Sequence, residues 1–500
     1  MKFAAARKAG IGAGKISEIK ILRKSIDARD RENVRLVYSL ALSAVGANRR
    51  FPEYRESADR VVALVKNKLN KPLRVAVIGA GPAGLMAALT LQAGGINPVL
   101  IERGGDAEAR EKAVNALKSQ GVLNTECNVQ YGMGGAGLFS DGKLNSGISR
   151  EFFPAVFGEL VSLGAPKDIL YESHPHVGTD KLKDVVTNAS ARLRSGGTEI
   201  KTFSRLDDIE VSDGKIVGIA LSTGERLAVD AVILAIGHSA FDTFRMLAAK
   251  GVLMEPKPFS VGVRIEHPQS FINEGRYGKF AAMLPPAEYK FSAKSASGRG
   301  VYTFCMCPGG EVIVSSSDPG TIVTNGMSYR ARSGSNANAA ILVSVTPSDF
   351  NGSLFGGFEF RSRIERAAFA AGGGRYGAPV QYLGDFIGMP VKNKLPPTVS
   401  PVGGECDLTT VLPRFVADGL KDAVAAFDLN LKGFMAPGSP LIGAETRSSC
   451  PVRILRGESG ESSIGGIFPA GEGAGWAGGI TSSAVDGVKA ALKLMRKFGE

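Results

Sequence analysis

No Cys-x-x-Cys pair occurs in this 500-residue chain, whose five cysteines are Cys127, Cys305, Cys307, Cys406 and Cys450. That excludes a secreted disulfide framework and a dithiol relay of the thioredoxin-reductase or lipoamide-dehydrogenase kind. Cys305-Met-Cys307 is too tight for a zinc knuckle, and its spacing on one strand would strain a disulfide, so buried core thiols are expected. Histidine is scarce: His174, His176, His238 and His267. His174 and His176 have only Glu172 as a close acid and no nearby cysteine, so no metal is expected. No apolar run approaches the roughly 18 to 20 residues a membrane span needs. The first ten residues lack the apolar core of a secretory signal. These absences point to a soluble, cytoplasmic protein.

Five hundred residues are too many for one core, so several domains are expected. Residues 1–71 hold 17 Lys/Arg against 7 Asp/Glu, which leaves the other 429 residues near neutrality. This basic segment reads as a small α/β module, with strands at 16–24 and 35–44. A helix is expected from Tyr54 to Leu69, with Val61, Val62, Val65 and Leu69 on one face. Residues 72–255 alternate strands and helices, with 200–203, 206–211 and 216–221 read as an antiparallel meander. Residues 256–440 read as many short β-like runs, a substrate or cap domain. The α/β pattern resumes over 441–500. Gly12-Ala-Gly14-Lys15 mimics a phosphate loop, but Ile16 replaces the required Ser/Thr.

The segment Arg74-Val-Ala-Val-Ile-Gly-Ala-Gly-Pro-Ala-Gly84 carries the most specific signal. A β-branched strand runs into Gly79, Gly81 and Gly84, spaced G-x-G-x-x-G where a helix must start with Pro82 and Ala83. Gly79 permits the turn, Gly81 lets backbone approach a pyrophosphate, and Gly84 allows close helix–strand packing. The helix N-terminus offers unpaired N–H groups to phosphate. A second strand ends at Glu102-Arg103, with the acid placed for ribose hydroxyls. A dinucleotide is expected.

The same spacing recurs at 132/134/137, 372/374/377 and 473/475/478, without the strand–helix–strand–acid context. The copy at 372–377 reads as a turn, so no second nucleotide domain for NAD(P)H is evident. The loop 132–142 brings Gly135, Gly137, Ser140, Asp141 and Gly142 to a ligand. Gly471-Glu472-Gly473 and Gly478-Gly479-Ile480 frame an acid and a helix start that suit a flavin, because the helix dipole would favour the anionic reduced ring. Gly237 closes the strand 231–236. Trp476, the only tryptophan, reads equally as a wall beside the ring or as packing. Together these stretches indicate FAD.

The chain resembles a family of bacterial FAD-dependent dehydrogenases, the NAD(P)/FAD-dependent oxidoreductases. The matching residues include 128–144, Ala235-Ile-Gly-His-Ser-Ala240, 257–268, 303–311, Asn325-Gly-Met-Ser328, Glu445-Thr-Arg447 and 471–486, with Lys24-Ser-Ile-Asp-Ala-Arg29 near the start. Phe241, Ser448 and Cys450 depart from the family pattern. The resemblance implies an α/β fold: a Rossmann-like FAD-binding domain of glutathione-reductase type, with a mixed α+β cap and the small N-terminal module.

The catalytic candidates are His238, at a strand end, and Glu445 and Arg447, read either as an ion pair or as ligands of a substrate carboxylate. The expected function is hydride transfer between bound FAD and a small-molecule substrate, with NAD(P)H a candidate electron donor. Two rivals stand: an RNA-modifying flavoenzyme that holds nucleic acid on its basic module, and a non-catalytic flavin-binding protein. A solvated basic face, or one docking against the flavin domain, is favoured over a nucleic-acid or other polyanion surface. Oligomeric state is not legible in the sequence.

Overall fold

The computed structural model describes residues 1–46, 51–55, 57–65, 72–130, 132–135, 143–144 and 151–499. The chain builds two main sheets, and strand ends of both line one cavity. The first is a five-stranded parallel sheet in the order Ile467–Pro469, Ala231–Leu234, Val75–Ile78, Val99–Ile101, Glu199–Lys201. Its central strands are apolar throughout because both faces are covered. Helices Pro82–Ala93 and Ile480–Gly499 lie side by side, and a Cβ on Gly487 would come within 2.0 Å of the Ala83 carbonyl oxygen.

The run at 200–203 joins this parallel sheet and not the expected meander. The meander is built from Leu206–Ser212, Lys215–Leu221 and Arg226–Ala228. Its hairpin turns at Asp213 (φ 49°) and Gly214 (φ 72°), the paired positive φ values that match strand twist.

The second sheet has seven strands, in the order Ser292–Lys294, Gly300–Cys307, Asn336–Val345, Phe259–Pro268, Pro440–Glu445, Ala378–Tyr382, Val402–Glu405. Among the short runs expected here are two long strands: Phe259–Pro268 and Asn336–Val345 are ten residues each and pair along their whole length. Gly262 makes the pairing possible, since a Cβ there would meet the Ile341 carbonyl at 1.9 Å. Helix Arg414–Asn430 crosses these strands on one side, and the hairpin Glu311–Val314/Thr324–Met327 lies over the sheet as well. The glycines at 372–377 form a turn between helix Gly356–Ala371 and strand Ala378–Tyr382.

The basic segment contains helix Lys2–Ala9 and an antiparallel hairpin of Ile16–Asp27 with Arg35–Ala44. The helix expected from Tyr54 does not form over the described residues; only a 3₁₀ turn, Val61–Leu64, is present, and Leu69 lies outside them. Consecutive β-branched residues favour helix weakly, and the Val61 N–H is instead drawn to Glu159, which also takes Arg60 at 3.0 Å. The hairpin is tied down too. Lys24 pairs with Glu172 at 2.7 Å, its backbone bonds Tyr171 and Ser173, and Glu32 meets Lys279. Among the described residues no helix is long and apolar enough to cross a membrane.

Candidate functional site

A cavity of about 300 Å³ is lined by the parallel sheet's strand ends, by Phe304, Cys305 and Glu445 of the seven-stranded sheet and by Thr324 and Asn325 of the hairpin over it. Strand Val75–Ile78 delivers Gly79 to its wall with φ +95°; a Cβ there would meet the Ala235 carbonyl oxygen at 2.3 Å. Gly81 differs: nothing lies within 4 Å of its Cβ position, so the space beside it is free for a ligand. Pro82 takes the first helical position, where a missing N–H costs nothing, and no side chain caps this helix. Its first-turn amides therefore remain available to an anion. Gly84 does not line the cavity. A Cβ there would sit 1.8 Å from the Gly79 oxygen, so its part is close packing.

Glu102 is buried at the end of the next strand and also borders the cavity. Its carboxylate accepts from the amides of Ala80 and Gly104, each at 3.0 Å, and from Arg110 at 3.1 Å. Arg110 is fully buried and donates onward to the Asn128 carbonyl at 2.6 Å. Sequence reasoning missed Arg110, whose only signal is an arginine within an otherwise apolar helix face. Arg103 lines the same end and pairs with Glu126 and Asp242.

The C-terminal stretch reaches the cavity through Gly471, Glu472, Gly479 and Ile480. Burial pushes the Glu472 carboxyl up to about 7, against the pull of the Gly479 amide and of Lys257. Gly473 stands behind the wall, where a Cβ would meet the Gly237 oxygen at 2.3 Å. The Gly478 amide donates to Ser482 at 3.0 Å, away from the cavity. Trp476 is also elsewhere: its indole donates to the Ile454 carbonyl between the Arg453 and Arg456 guanidiniums. Gly135 lines the cavity, whereas Gly137, Ser140, Asp141 and Gly142 lie outside the described residues.

His238 and Gly237 follow the strand Ala231–Leu234 into the wall. The His238 ring is buried, and its Nε2 has no partner among the described residues. Burial, reinforced by the charges of Arg361, Arg447 and Lys257, holds its pKa well below 6.5. Glu445 and Arg447 both reach the cavity but do not pair with each other. Glu445 holds the buried Arg264 through two contacts, at 2.9 and 3.0 Å. Arg447 grips Glu365 in bidentate fashion at 3.1 and 2.9 Å, and Asp318 at 2.6 Å. The two residues have different partners, Arg264 of strand Phe259–Pro268 for one and Glu365 of helix Gly356–Ala371 for the other, which local sequence spacing cannot reveal. Cys307 is in the core, but Cys305, half-buried at a bulge, lines the cavity. Among the described residues no cluster suits a metal ion, and His176 bonds Arg330 instead.

Three domain models match the chain: an FAD binding domain over residues 72–119, an FAD-dependent protein C-terminal domain over 258–448, and a domain of unknown function over 1–43. An uncharacterised protein of Clostridium beijerinckii is 42% identical over 510 aligned positions, covering 98% of this chain and 95% of that one. The chain belongs to the same family of FAD-binding proteins. Geranylgeranyl diphosphate reductase of Arabidopsis thaliana is 49% identical over 63 residues, covering only 12% of this chain and 14% of the reductase. Among solved structures, the flavin-dependent brominase Bmp2 matches at TM-score 0.39 and 12% identity, covering 86% of this chain and 80% of that one. CtdE in complex with FAD matches at TM-score 0.34 and 13% identity, covering 84% and 83%. Overlap that loose transfers no residue from those enzymes to this family.

Proposed function

We propose that the protein is an FAD-dependent oxidoreductase of glutathione-reductase-like architecture, acting on a small molecule held between the parallel sheet and the seven-stranded sheet. The observation that carries this reading is the convergence on one cavity of the Gly79–Ala83 turn, the Glu472–Ile480 helix start, His238, Cys305 and Glu445 of the seven-stranded sheet, and Asn325 of the hairpin over it. The residues present fit FAD. Open space beside Gly81 accommodates a pyrophosphate, Glu102 keeps acceptor capacity for ribose hydroxyls, and the His238 Nε2, unpartnered among the described residues, suits a hydrogen-bonding ligand. When bound, the flavin supplies two-electron transfer, and the protein supplies position and electrostatics.

The chain's own groups have distinct parts. His238, neutral at pH 7, offers Nε2 as a hydrogen-bonding group that burial, reinforced by the cations around it, keeps uncharged. Arg447 is immobilised by the Glu365 and Asp318 carboxylates and by the Ser239 and Ser317 hydroxyls, which fixes the wall of the cavity at this point. Glu472, with its carboxyl near 7, can hold or release a proton at neutral pH beside the helix start. NAD(P)H is the first electron donor to test, and a cytoplasmic setting suits the scattered thiols. The basic segment spends Lys24 and Arg60 on ion pairs with the body, which supports docking over nucleic-acid binding.

The test is the visible spectrum of the purified protein, followed by anaerobic bleaching with a panel of donors. A yellow protein reduced by one donor and reoxidised by a specific acceptor is expected. A protein that neither carries nor takes up FAD overturns the reading. Gly81→Asp should abolish cofactor retention by filling the open space with a negative charge.

A further inference from the structure

The cavity continues past the phosphate-binding turn along helix Pro82–Ala93. Its lining there, the arm, comprises Leu85 and Leu89, Leu182, Val185 and Ala189 of helix Thr179–Ser195, and Leu160, all members of one buried apolar cluster. The residues at 182, 185 and 189 form one stripe of their helix, and those at 85 and 89 are one turn apart on theirs. Met86, Leu163 and Val186 complete the wall, so among the described residues the arm carries only aliphatic and thioether side chains. The rest of the cavity differs, with Glu102, Arg103, Gln130, Asn325, Glu445 and Arg447 in its lining.

Phosphates and ribose hydroxyls need donors and acceptors, so those parts of a dinucleotide gain nothing from such an arm. Water gains nothing either, because it would find no hydrogen-bond partners there. A hydrocarbon chain suits it. We infer that the arm receives the alkyl chain of an amphipathic substrate, whose polar end stays in the wider, polar chamber. The stripe from residue 182 to 189 spans about 10 Å along its helix, room for about eight methylenes. Naming the occupant as substrate rests on the oxidoreductase reading of the cavity; binding of an alkyl chain does not.

The experiment titrates the purified protein with n-alkanoates from four to sixteen carbons by calorimetry, while the visible spectrum reports FAD. Each added methylene should tighten binding about fourfold up to a plateau near eight to ten carbons. Ala189→Phe, which fills the arm, should move that plateau to shorter chains and leave the flavin spectrum unchanged. Leu89→Ala, which lengthens the space, should move it to longer ones and serves if the first variant does not fold. A yellow protein whose affinity ignores chain length, or a plateau that neither variant moves, overturns the arm. A colourless protein that keeps the length profile overturns only the flavin reading.

Discussion

The Glu102 carboxylate accepts the Ala80 amide at 3.0 Å, which fastens the end of the second parallel strand to the glycine turn after the first. The same carboxylate neutralises the fully buried Arg110. One residue thus shapes the glycine turn and, under the proposed function, would also meet the ribose hydroxyls.

Replacing Glu102 should therefore harm the fold as well as the cofactor. Glu102→Ala strands the Arg110 charge in the interior, a loss of about 3–5 kcal/mol. The double variant Glu102→Ala/Arg110→Met should recover much of that stability without restoring FAD affinity. Urea unfolding of apoprotein beside FAD titration separates the two effects; equal loss of stability in both variants would refute the coupling.

The glycines of the fingerprint should divide by function. Gly81→Ala adds a methyl to open space, so apoprotein stability should change by less than about 0.5 kcal/mol while FAD binding weakens. Gly84→Ala forces a carbon within 1.8 Å of the Gly79 oxygen and should destabilise the apoprotein itself. Thermal melts with and without FAD decide the matter.

The Arg447–Glu365 pair is almost wholly buried. Arg447→Ala leaves Glu365 uncompensated and should cost about 3–5 kcal/mol, whereas a paired change of both to methionine should cost less. Chemical denaturation of the two variants measures the difference.

Acid should expose His267. Burial lowers its pKa to about 4, so the folded protein leaves it neutral while the unfolded chain protonates near 6.5. Its contribution is therefore intact above 6.5 and is lost as pH falls from 6.5 to about 4, roughly 3 kcal/mol in all. Glu266 and Glu472, both pushed up to about 7 by burial, act oppositely: the folded state binds their protons first and gains stability as pH falls from 7 towards 4.5. His267→Gln should flatten the acid limb of the stability curve. An unchanged slope between pH 6.5 and 4 would contradict a neutral buried imidazole.

Local pattern determined much of this protein. The strand–glycine–helix–acid series from Arg74 to Glu102, the hairpin at Asp213-Gly214 and the strands at 16–24 and 35–44 are legible in sequence because backbone sterics and side-chain periodicity act over a few residues. The expected helix after Tyr54 failed because a contact with Glu159, about 100 residues away, claims the Val61 amide. Strand 199–201 joined the parallel sheet, not the meander, because sheet membership depends on remote partners. Tertiary structure alone brought His238, Cys305, Glu445 and Glu472 to one cavity, and it alone paired Glu445 with Arg264 and Arg447 with Glu365. Those ion pairs join residues 82 to 181 positions apart. Spacing along the chain carries no signal for them, because burial selects whichever opposite charge the packed sheets bring near.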